Sequence, residues 1–193
     1  MITYKKVDKT YFPQYDQIPM RFNAKSYYKI EKINRGLGGF TLVETPVEPS
    51  YIKDFCVYGD ETATYWAGHF DVSNWGFFMA FDGEFPVGGA VIASRTKEVN
   101  MLSGRNDLAV LWDIRVDEKY KHQGIGQTLF DMAANWSREQ GLVQMKIECQ
   151  NNNIAAVNFY HKQGAVLSSI DEYAYYNEPE YRHETQFIWF LDL

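Results

Sequence analysis

The segment Lys121-His122-Gln123-Gly124-Ile125-Gly126-Gln127 is the most informative stretch of this sequence. It follows an apolar run at 107–116 and opens an amphipathic stretch at 124–140, in which apolar side chains recur at helical spacing: Ile125, Leu129, Met132, Ala133 and Trp136. The first N–H groups of a helix lack intrahelical acceptors, and glycine lets an anion approach the backbone closely. The segment therefore predicts a phosphate-binding turn between a strand and a helix.

Two other phosphate-binding loops do not fit this segment. The P-loop requires G-x-x-x-x-G-K-[ST], which this sequence does not contain. The dinucleotide fingerprint requires a third glycine and a βαβ unit at the start of its domain, and neither condition is met. Because a Gly-x-Gly before a helix is also compatible with an ordinary tight turn, a second motif is needed to decide.

That second motif lies downstream and reads Asn153-x-x-Ala156-x-x-Phe159-Tyr160-x-Lys162-x-Gly164. A strand at 143–149, with strict alternation of apolar and polar residues, separates it from the glycine segment. Asn153 and Tyr160 are two helical turns apart, so both side chains project from one face of a predicted helix at 153–162. The same residues are also compatible with a helix N-cap and a packing aromatic.

With both motifs in this order, the sequence resembles the GNAT superfamily of N-acetyltransferases, whose acetyl-CoA loop reads Arg/Gln-x-x-Gly-x-Gly/Ala. Lys121 stands where the family usually has Arg or Gln, which keeps a positive charge but loses the planar fork of Arg. Four segments are similar to the streptothricin acetyltransferase branch, over roughly residues 75–193: WDIRV, KHQGIG, IECQNNNIAAVNFYHKQGA and IDEYAYY. The first third of the chain resembles that branch only loosely.

The residue patterns predict a mixed α/β (α+β) fold. Strands are expected at 2–7, 27–34, 39–46, 75–81, 85–95, 107–116, 143–149, 165–171 and 184–191. Helices are expected at 11–22, 61–69 with Asp60 as the cap, 124–140 and 153–162. The resemblance implies a single GNAT domain over 1–193, with the cofactor motifs within 107–165. It also implies a single mixed, mostly antiparallel sheet with splayed central strands, flanked by helices.

Acetyl-CoA is the co-substrate that the resemblance implies. Its pantetheine arm would add to the strand that ends at Val116, and its pyrophosphate would rest on the amides of the glycine segment. The residues expected to bind it are Ile114, Arg115, Val116, Lys121, His122, Gln123, Gly124, Ile125, Gly126, Gln127, Asn153 and Tyr160.

Acetyl transfer to an amine needs a base, because an alkylammonium with a pKa of about 10.4 attacks only after it loses a proton. Asp113, in an apolar strand, and Glu148, on the polar face of the next strand, are both candidates. Each is equally compatible with a salt bridge, to Arg115 or to Lys146. The resemblance places Tyr160 where the family protonates the leaving thiolate. Cys149 alternates with apolar residues and is expected to be a buried, inert thiol.

The composition narrows the class of partner. The net charge is −6 and no run of Lys or Arg occurs, so a nucleic-acid-binding role is disfavoured. The acidic and aromatic run at 171–181 suits a cationic small molecule instead. Within that class, the resemblance to the streptothricin acetyltransferase branch implies the β-lysine amine of streptothricin as the acceptor. The alternatives are another amine (an aminoglycoside, a polyamine, lysine or a protein lysine) and a non-catalytic acetyl-CoA sensor.

Localisation and assembly are constrained only weakly. The four histidines show no metal-ligand spacing, so no metal site is expected. No apolar run is long enough to span a bilayer and the first residues lack a signal-peptide pattern. The expectation is a cytoplasmic monomer or homodimer that does not bind membranes.

Overall fold

The computed structural model describes residues 1–193, which form nine strands and four α-helices. The strands are β1 (Ile2–Val7), β2 (Arg21–Lys32), β3 (Phe40–Asp54), β4 (Gly76–Asp82), β5 (Phe85–Ala93), β6 (Leu108–Val116), β7 (Gln144–Gln150), β8 (Val166–Asp171) and β9 (Gln186–Asp192). The helices are α1 (Phe12–Tyr15), α2 (Ala63–His69), α3 (Ile125–Glu139) and α4 (Ile154–Lys162).

Seven strands form one sheet in the order β1-β4-β5-β6-β7-β9-β8, and β2 and β3 form a separate two-stranded sheet. The fold class expected from the sequence, a mixed and mostly antiparallel sheet with flanking helices, is confirmed. No α-helix has both the length and the apolar character needed to cross a bilayer.

The chain divides into two compact units. The first comprises Met1–Arg21, Asp54–Ile147 and Leu191–Leu193, and the second comprises Phe22–Lys53 and Glu148–Phe190. The expectation of one domain over the whole chain stays a prediction.

In the first unit, β1, β4, β5 and β6 pair antiparallel in that order. The other side of β6 pairs in parallel with the start of β7, from Leu108 opposite Gln144 to Leu111 opposite Ile147. Of the five apolar side chains that predicted α3, four are buried and one, Met132, is half-buried: the buried ones are Ile125, Leu129, Ala133 and Trp136. The helix packs on β4, β5 and β6.

Two adjacent glycines on β5 allow close packing on both faces of this sheet. A Cβ at Gly88 would lie 3.1 Å from side-chain atoms of Ile125 and Leu129 on α3. A Cβ at Gly89 would overlap the ring of Tyr15, the last residue of α1. Successive residues of a strand point to opposite faces, so Gly88 marks the α3 face and Gly89 the Tyr15 face.

In the second unit, β8 and β9 pair antiparallel from Val166 opposite Phe190 to Asp171 opposite Gln186. The two-stranded sheet extends well beyond the strands expected at 27–34 and 39–46. Pro46 and Pro49 interrupt the sequence pattern of β3, but a two-stranded sheet consists only of edge strands. Proline is tolerated there because an edge N–H need not be bonded.

Two helix predictions required correction. The helix expected at 11–22 is reduced to the four residues of α1. The expected cap at Asp60 was wrong, because α2 begins at Ala63 and Thr62 is its N-cap. The Thr62 hydroxyl accepts from the Tyr65 N–H at 3.1 Å, and the Asp16 carboxylate accepts from the Ala63 N–H at 2.7 Å. Asp16 lies 47 residues upstream of Ala63, so local spacing gave no sign of it.

Candidate active site

The N-terminus of α3 is built as the glycine segment predicted. Gly124 is the N-cap residue, in the left-handed region at φ 82°, and it has no side chain to bond the first-turn N–H groups. The first turn carries no acidic residue. Backbone N–H groups and the positive end of the helix dipole are therefore directed at whatever lies before Gly124, an arrangement that binds phosphate.

The other two longer helices, α2 and α4, have a side-chain cap at the N-terminus, which α3 lacks. Asn153 caps α4 by accepting from the Ala156 N–H at 3.1 Å, and Thr62 caps α2. The Asn153 cap expected as one of two alternatives is thus present, whereas its contact with cofactor stays a prediction. Among the three helices longer than one turn, α3 is thus the one without a side-chain cap, although a cap would add to its stability.

The loop before α3 turns sharply. His122 has φ 61°, in the left-handed region, and Gly124 follows two residues later. The Lys121 ammonium donates to the backbone carbonyl of Arg21 at 3.3 Å. The acceptor in this bond is a neutral carbonyl and not a carboxylate, so the bond does not neutralise the lysine charge. The loop residues therefore fit a diphosphate: backbone donors, a helix N-terminus and one lysine.

A β-bulge at Trp112 divides β6 into two halves. Leu111 is opposite Ile92 and Asp113 is opposite Val91, so Trp112 has no partner on β5. Paired residues share a face of the sheet, which puts Leu111 on the α3 face and Asp113 on the Tyr15 face. Beyond the bulge, Asp113 and Arg115 are buried while Ile114 and Val116 are only half-buried. In this second half of β6, the charged residues therefore point into the interior and the apolar residues are partly exposed.

Asp113 is held in a buried cluster. The Arg115 Nε donates to Asp113 Oδ2 at 2.6 Å, and the Tyr15 hydroxyl donates to the same oxygen. All three residues are at most 4% exposed. Burial, followed by the negative charge of Asp113, raises the pKa of Tyr15 well above its usual value. Tyr15 is therefore a permanent hydroxyl donor, and the carboxylate is neutralised by Arg115.

The Arg115 side chain also joins distant parts of the first unit. It donates to the carbonyl oxygens of Ile18 at 3.3 Å and Glu61 at 3.0 Å, one after α1 and one just before α2. Its guanidinium lies 5.3 Å from the ring centroid of Tyr15. From the sequence, Arg115 was expected at the cofactor, and a salt bridge with it was the alternative role of Asp113; that salt bridge is present. The bonds of the Arg115 guanidinium to the carbonyl groups of Ile18 and Glu61 had no signal in the sequence.

Glu148 has different surroundings in the second unit. It is half-buried on β7, and the Tyr175 hydroxyl donates to its Oε1 at 2.7 Å. The Gln150 Nε2 donates to the same hydroxyl at 3.3 Å. Burial and the Glu148 charge raise the pKa of Tyr175. Sequence reasoning placed Tyr175 in an acidic run but missed this contact.

The loop from β7 to α4 is fixed by consecutive asparagines. Asn151 exchanges four hydrogen bonds with the backbones of Tyr28 and Thr185, each at 2.9 Å. Asn152 donates to the Tyr51 hydroxyl at 2.8 Å and to Glu184 at 2.9 Å. Glu184 also forms a buried ion pair with Lys53. Asn153 then starts α4, whose seventh residue is Tyr160, so the position of that residue depends on this loop.

Tyr160 and Cys149 lie in apolar surroundings of the second unit. Tyr160 is 6% exposed and its ring contacts that of Phe159 edge-on, with 5.7 Å between centroids. Burial raises the pKa of Cys149 to about 12, so this thiol is not ionised near neutral pH and is a poor nucleophile. No group of three or more His, Cys, Asp or Glu side chains is arranged to hold a metal ion.

Known proteins resemble the chain in both sequence and fold. A streptothricin acetyltransferase from Escherichia coli is 31% identical over 93 residues, which are 48% of this chain and 53% of that protein. Streptothricin acetyltransferase A from Bacillus subtilis (strain 168) is 29% identical over 92 residues, again 48% of this chain and 53% of the relative. The chain thus spans about half the length of these curated relatives.

Solved structures match the whole chain. One of them is a candidate streptothricin acetyltransferase from Bacillus anthracis str. Ames, in complex with acetyl coenzyme A. The two share 24% sequence identity and superimpose with a TM-score of 0.77 over 100% of both chains, which establishes the common fold. The model of the Acetyltransferase (GNAT) family matches residues 44–165, which include the glycine segment and the Asn153–Tyr160 motif. This chain therefore belongs to the GNAT acetyltransferase family.

Proposed function

We propose that this protein transfers the acetyl group of acetyl-CoA to a primary amine of a small cationic acceptor, with streptothricin the first candidate. The observation that carries the proposal is the N-terminus of α3, opened by Gly124 and lacking a side-chain cap, in a chain of the GNAT family. Such a terminus binds a diphosphate, which is the part of a CoA thioester that needs the most compensation of charge.

In this proposal the residues of the first unit bind the co-substrate. The amides of Gln123, Gly124, Ile125, Gly126 and Gln127 would receive the pyrophosphate, with Lys121 and His122 beside it. The backbone of Ile114, Arg115 and Val116 would pair with the pantetheine arm. Supporting this, the Arg115 side chain is turned into the buried cluster, which leaves its backbone as the part that a ligand can use.

The proposed chemistry is nucleophilic substitution at the thioester carbonyl. Glu148 accepts a proton from the substrate ammonium, and the free amine then attacks the carbonyl carbon. The C–N bond forms in this attack, and the C–S bond breaks when the tetrahedral intermediate collapses. The Tyr160 hydroxyl donates its proton to the departing sulfur and is restored by the second proton that the nitrogen loses, so the products are an amide and a thiol, with one proton left on Glu148. A backbone N–H near Ile114 would stabilise the oxyanion.

Of the two predicted bases, we assign the role to Glu148. Asp113 is 3% exposed and carries an ion pair with Arg115 and a hydrogen bond from Tyr15 on one oxygen. A carboxylate in that setting is occupied by a permanent cation and is shielded from solvent, so it is poorly placed to meet a substrate ammonium. Glu148 is half-buried and has a neutral phenol as its partner, which supports its assignment.

The acceptor class follows from the segment between β8 and β9. Tyr173 and Tyr176 are exposed there, and acidic residues are interspersed: Asp171, Glu172, Glu178 and Glu180. Glu172 is occupied by an ion pair with Lys32, so fewer acids face solvent than the sequence suggested. Exposed tyrosine faces beside carboxylates favour ammonium groups. The relatives named for streptothricin, which carries β-lysine amines, support the same class.

The test is an acceptor comparison with the purified protein. Acetyl-CoA is supplied with streptothricin, free lysine or an aminoglycoside at equal concentrations, and released thiol is measured together with the mass of the acetylated product. We expect the highest kcat/KM with streptothricin. A preference for another amine would change the proposed acceptor but not the proposed reaction. Absence of thiol release with every amine, despite binding of acetyl-CoA, would identify a sensor and refute the proposal.

The Tyr160→Phe variant separates catalysis from binding. We expect a loss in kcat of about 10²- to 10⁴-fold, which is the usual contribution of a general acid or base. Affinity for acetyl-CoA, measured by calorimetry, should stay close to that of the wild type, because the ring is retained. An unchanged kcat would exclude Tyr160 as the acid.

A further inference from the structure

The polar face of β7 contains two side chains that meet a single hydroxyl. Glu148 and Gln150 alternate with buried Cys149, so they project from the same face of the strand. The Tyr175 oxygen lies 2.7 Å from Glu148 Oε1 and 3.3 Å from Gln150 Nε2. One phenol therefore connects both polar residues at the end of this strand.

The chemistry of the three groups fixes the direction of both bonds. An ionised carboxylate can only accept, so the Tyr175 hydroxyl donates to Glu148. The amide nitrogen of Gln150 can only donate, so it bonds a lone pair of the same hydroxyl. With both interactions made, the O–H bond of Tyr175 points at Glu148 Oε1. Burial and the neighbouring Glu148 charge raise the pKa of Tyr175, so the phenol keeps its proton at neutral pH.

The backbone around Tyr175 holds the phenol in place. The Asp171 carboxylate accepts from the Tyr173 N–H at 2.8 Å, and the Tyr173 carbonyl accepts from the Tyr176 N–H at 3.0 Å. The Tyr175 carbonyl in turn accepts from the Glu178 N–H at 3.0 Å. Consecutive turns therefore constrain this residue, whereas the side chains of Tyr173 and Tyr176 remain exposed.

We propose that Tyr175 is a positioning residue that orients the Glu148 carboxylate for proton transfer from the acceptor amine. The inference rests on the proposed function, in which Glu148 is the base. The bond uses Oε1 and fixes the side chain, so that Oε2 is presented in one orientation. A glutamate has three rotatable side-chain bonds, and a base with a fixed orientation loses less of its rate to unproductive rotamers.

The matched variants are Tyr175→Phe and Tyr11→Phe. Both delete one phenolic oxygen that bonds a charged group, but the Tyr11 hydroxyl accepts from the Lys5 ammonium at 2.8 Å, so only the first variant removes the donor to Glu148. We expect Tyr175→Phe to lower kcat by about 10- to 100-fold, the range for loss of a hydrogen bond to a charged group. The acidic limb of the rate profile should move to higher pH, because the charged carboxylate loses a donor. KM for acetyl-CoA and the thermal midpoint should change little.

The Tyr11→Phe variant should match the wild type in kcat and in pH profile. The inference is overturned if Tyr175→Phe also matches it, or if Tyr175→Phe alters KM for acetyl-CoA while kcat and the pH profile stay unchanged. A variant that misfolds is replaced by Tyr175→Trp or Gln150→Leu, of which the second retains the phenol but removes its other partner. Gln150→Leu should shift the profile in the same direction by a smaller amount.

A double-mutant comparison separates this inference from the proposed function. In a Glu148→Gln background, Tyr175→Phe should cause no further loss of rate, since Tyr175 acts through Glu148. An equal loss in both backgrounds would overturn the positioning role while leaving acetyl transfer intact. If the wild type acetylates no amine at all, the proposed function itself fails and the inference falls with it.

Discussion

The downstream ends of β6 and β7 both carry a carboxylate, and their surroundings differ in almost every respect. Asp113 on β6 is buried, paired with Arg115 and bonded by Tyr15. Glu148 on β7 is half-buried and its hydrogen-bonding partner is the neutral phenol of Tyr175. In the sequence the two residues were equal candidates for a base, Asp113 as the acid of an apolar strand and Glu148 as the acid on the polar face of the next strand.

The difference shows what distinguishes a structural carboxylate from a reactive one. A buried acid that pairs with a permanent cation compensates its charge, so removing the acid leaves that charge uncompensated. An acid whose partner is a neutral donor has no cation to compensate, and the donor fixes its orientation. We therefore expect substitutions at Asp113 to change mainly stability and substitutions at Glu148 to change mainly rate.

The largest expected effect is a loss of catalytic rate on substitution of Glu148. Glu148→Gln keeps the shape of the side chain and an acceptor for Tyr175, but removes the base. We expect kcat to fall by about 10²- to 10⁴-fold, with the free energy of unfolding nearly unchanged. Steady-state rates and chemical denaturation of the same preparation measure both quantities. Retention of full activity would return Asp113 to consideration as the base.

The next effect is a loss of stability at Asp113. Asp113→Ala leaves the Arg115 guanidinium buried and unpaired, and removal of one partner from such a pair costs about 3–5 kcal/mol. Urea denaturation of the variant gives the value. The matched control is Asp107→Ala, because Asp107 and Arg105 form an exposed pair with the same two-residue spacing. We expect a much smaller change there. Similar losses for both pairs would contradict the importance of burial.

Smaller effects, on stability and on acetyl-CoA affinity, are expected from substituting the glycines at the two ends of α3. Gly124 and Gly141 are both in the left-handed region, at φ 82° and 74°, with open space where a Cβ would lie. Alanine at either position should cost about 1–2 kcal/mol of stability. Only Gly124→Ala should also weaken acetyl-CoA binding, because only that end of the helix presents N–H groups. Calorimetric titration of both variants decides, and equal affinities would remove the glycine segment from the cofactor site.

The smallest effect concerns the thiol between Glu148 and Gln150. Burial raises the pKa of Cys149 to about 12, whereas Cys56 is exposed. A thiol-specific chromogenic reagent at mildly alkaline pH should therefore modify one cysteine per native chain and two after denaturation. Cys149→Ala should retain nearly all of the wild-type kcat. Rapid labelling of Cys149 in the native protein would reopen covalent catalysis through this residue.

The elements nearest the two motifs were predictable from sequence. The helix expected at 124–140 is α3 at Ile125–Glu139, and the strand expected at 143–149 is β7 at Gln144–Gln150. Periodicity fixed these elements because one face of each is buried against the same core. The strands at 75–81 and 85–95 were likewise placed within two residues, since the Asp82-Gly83 turn between them is a strong local signal.

The side-chain partners in the candidate site were not predictable in the same way. Tyr15 lies 98 residues from Asp113, and Tyr175 lies 27 residues from Glu148, so no local spacing connects either pair. The inward direction of Asp113 and Arg115 was also hidden, because alternation along a strand does not say which face is buried when one set is charged. Only tertiary contacts, here the carbonyl groups of Ile18 and Glu61, make that interior suitable for a guanidinium.

The bulge at Trp112 determines which face of the sheet each later residue of β6 occupies. Leu111 and Asp113 are two residues apart and would share a face in a regular strand, but the unpaired residue between them puts them on opposite faces. Deletion of Trp112 would leave Leu111 opposite Ile92 and Asp113 opposite Val91, so the faces of the later residues would be retained. Deletion of a paired residue such as Ile114 would instead move Arg115 to the α3 face, opposite Ala90. A single-codon deletion in this strand should therefore disturb its register far more at a paired position than at the bulge.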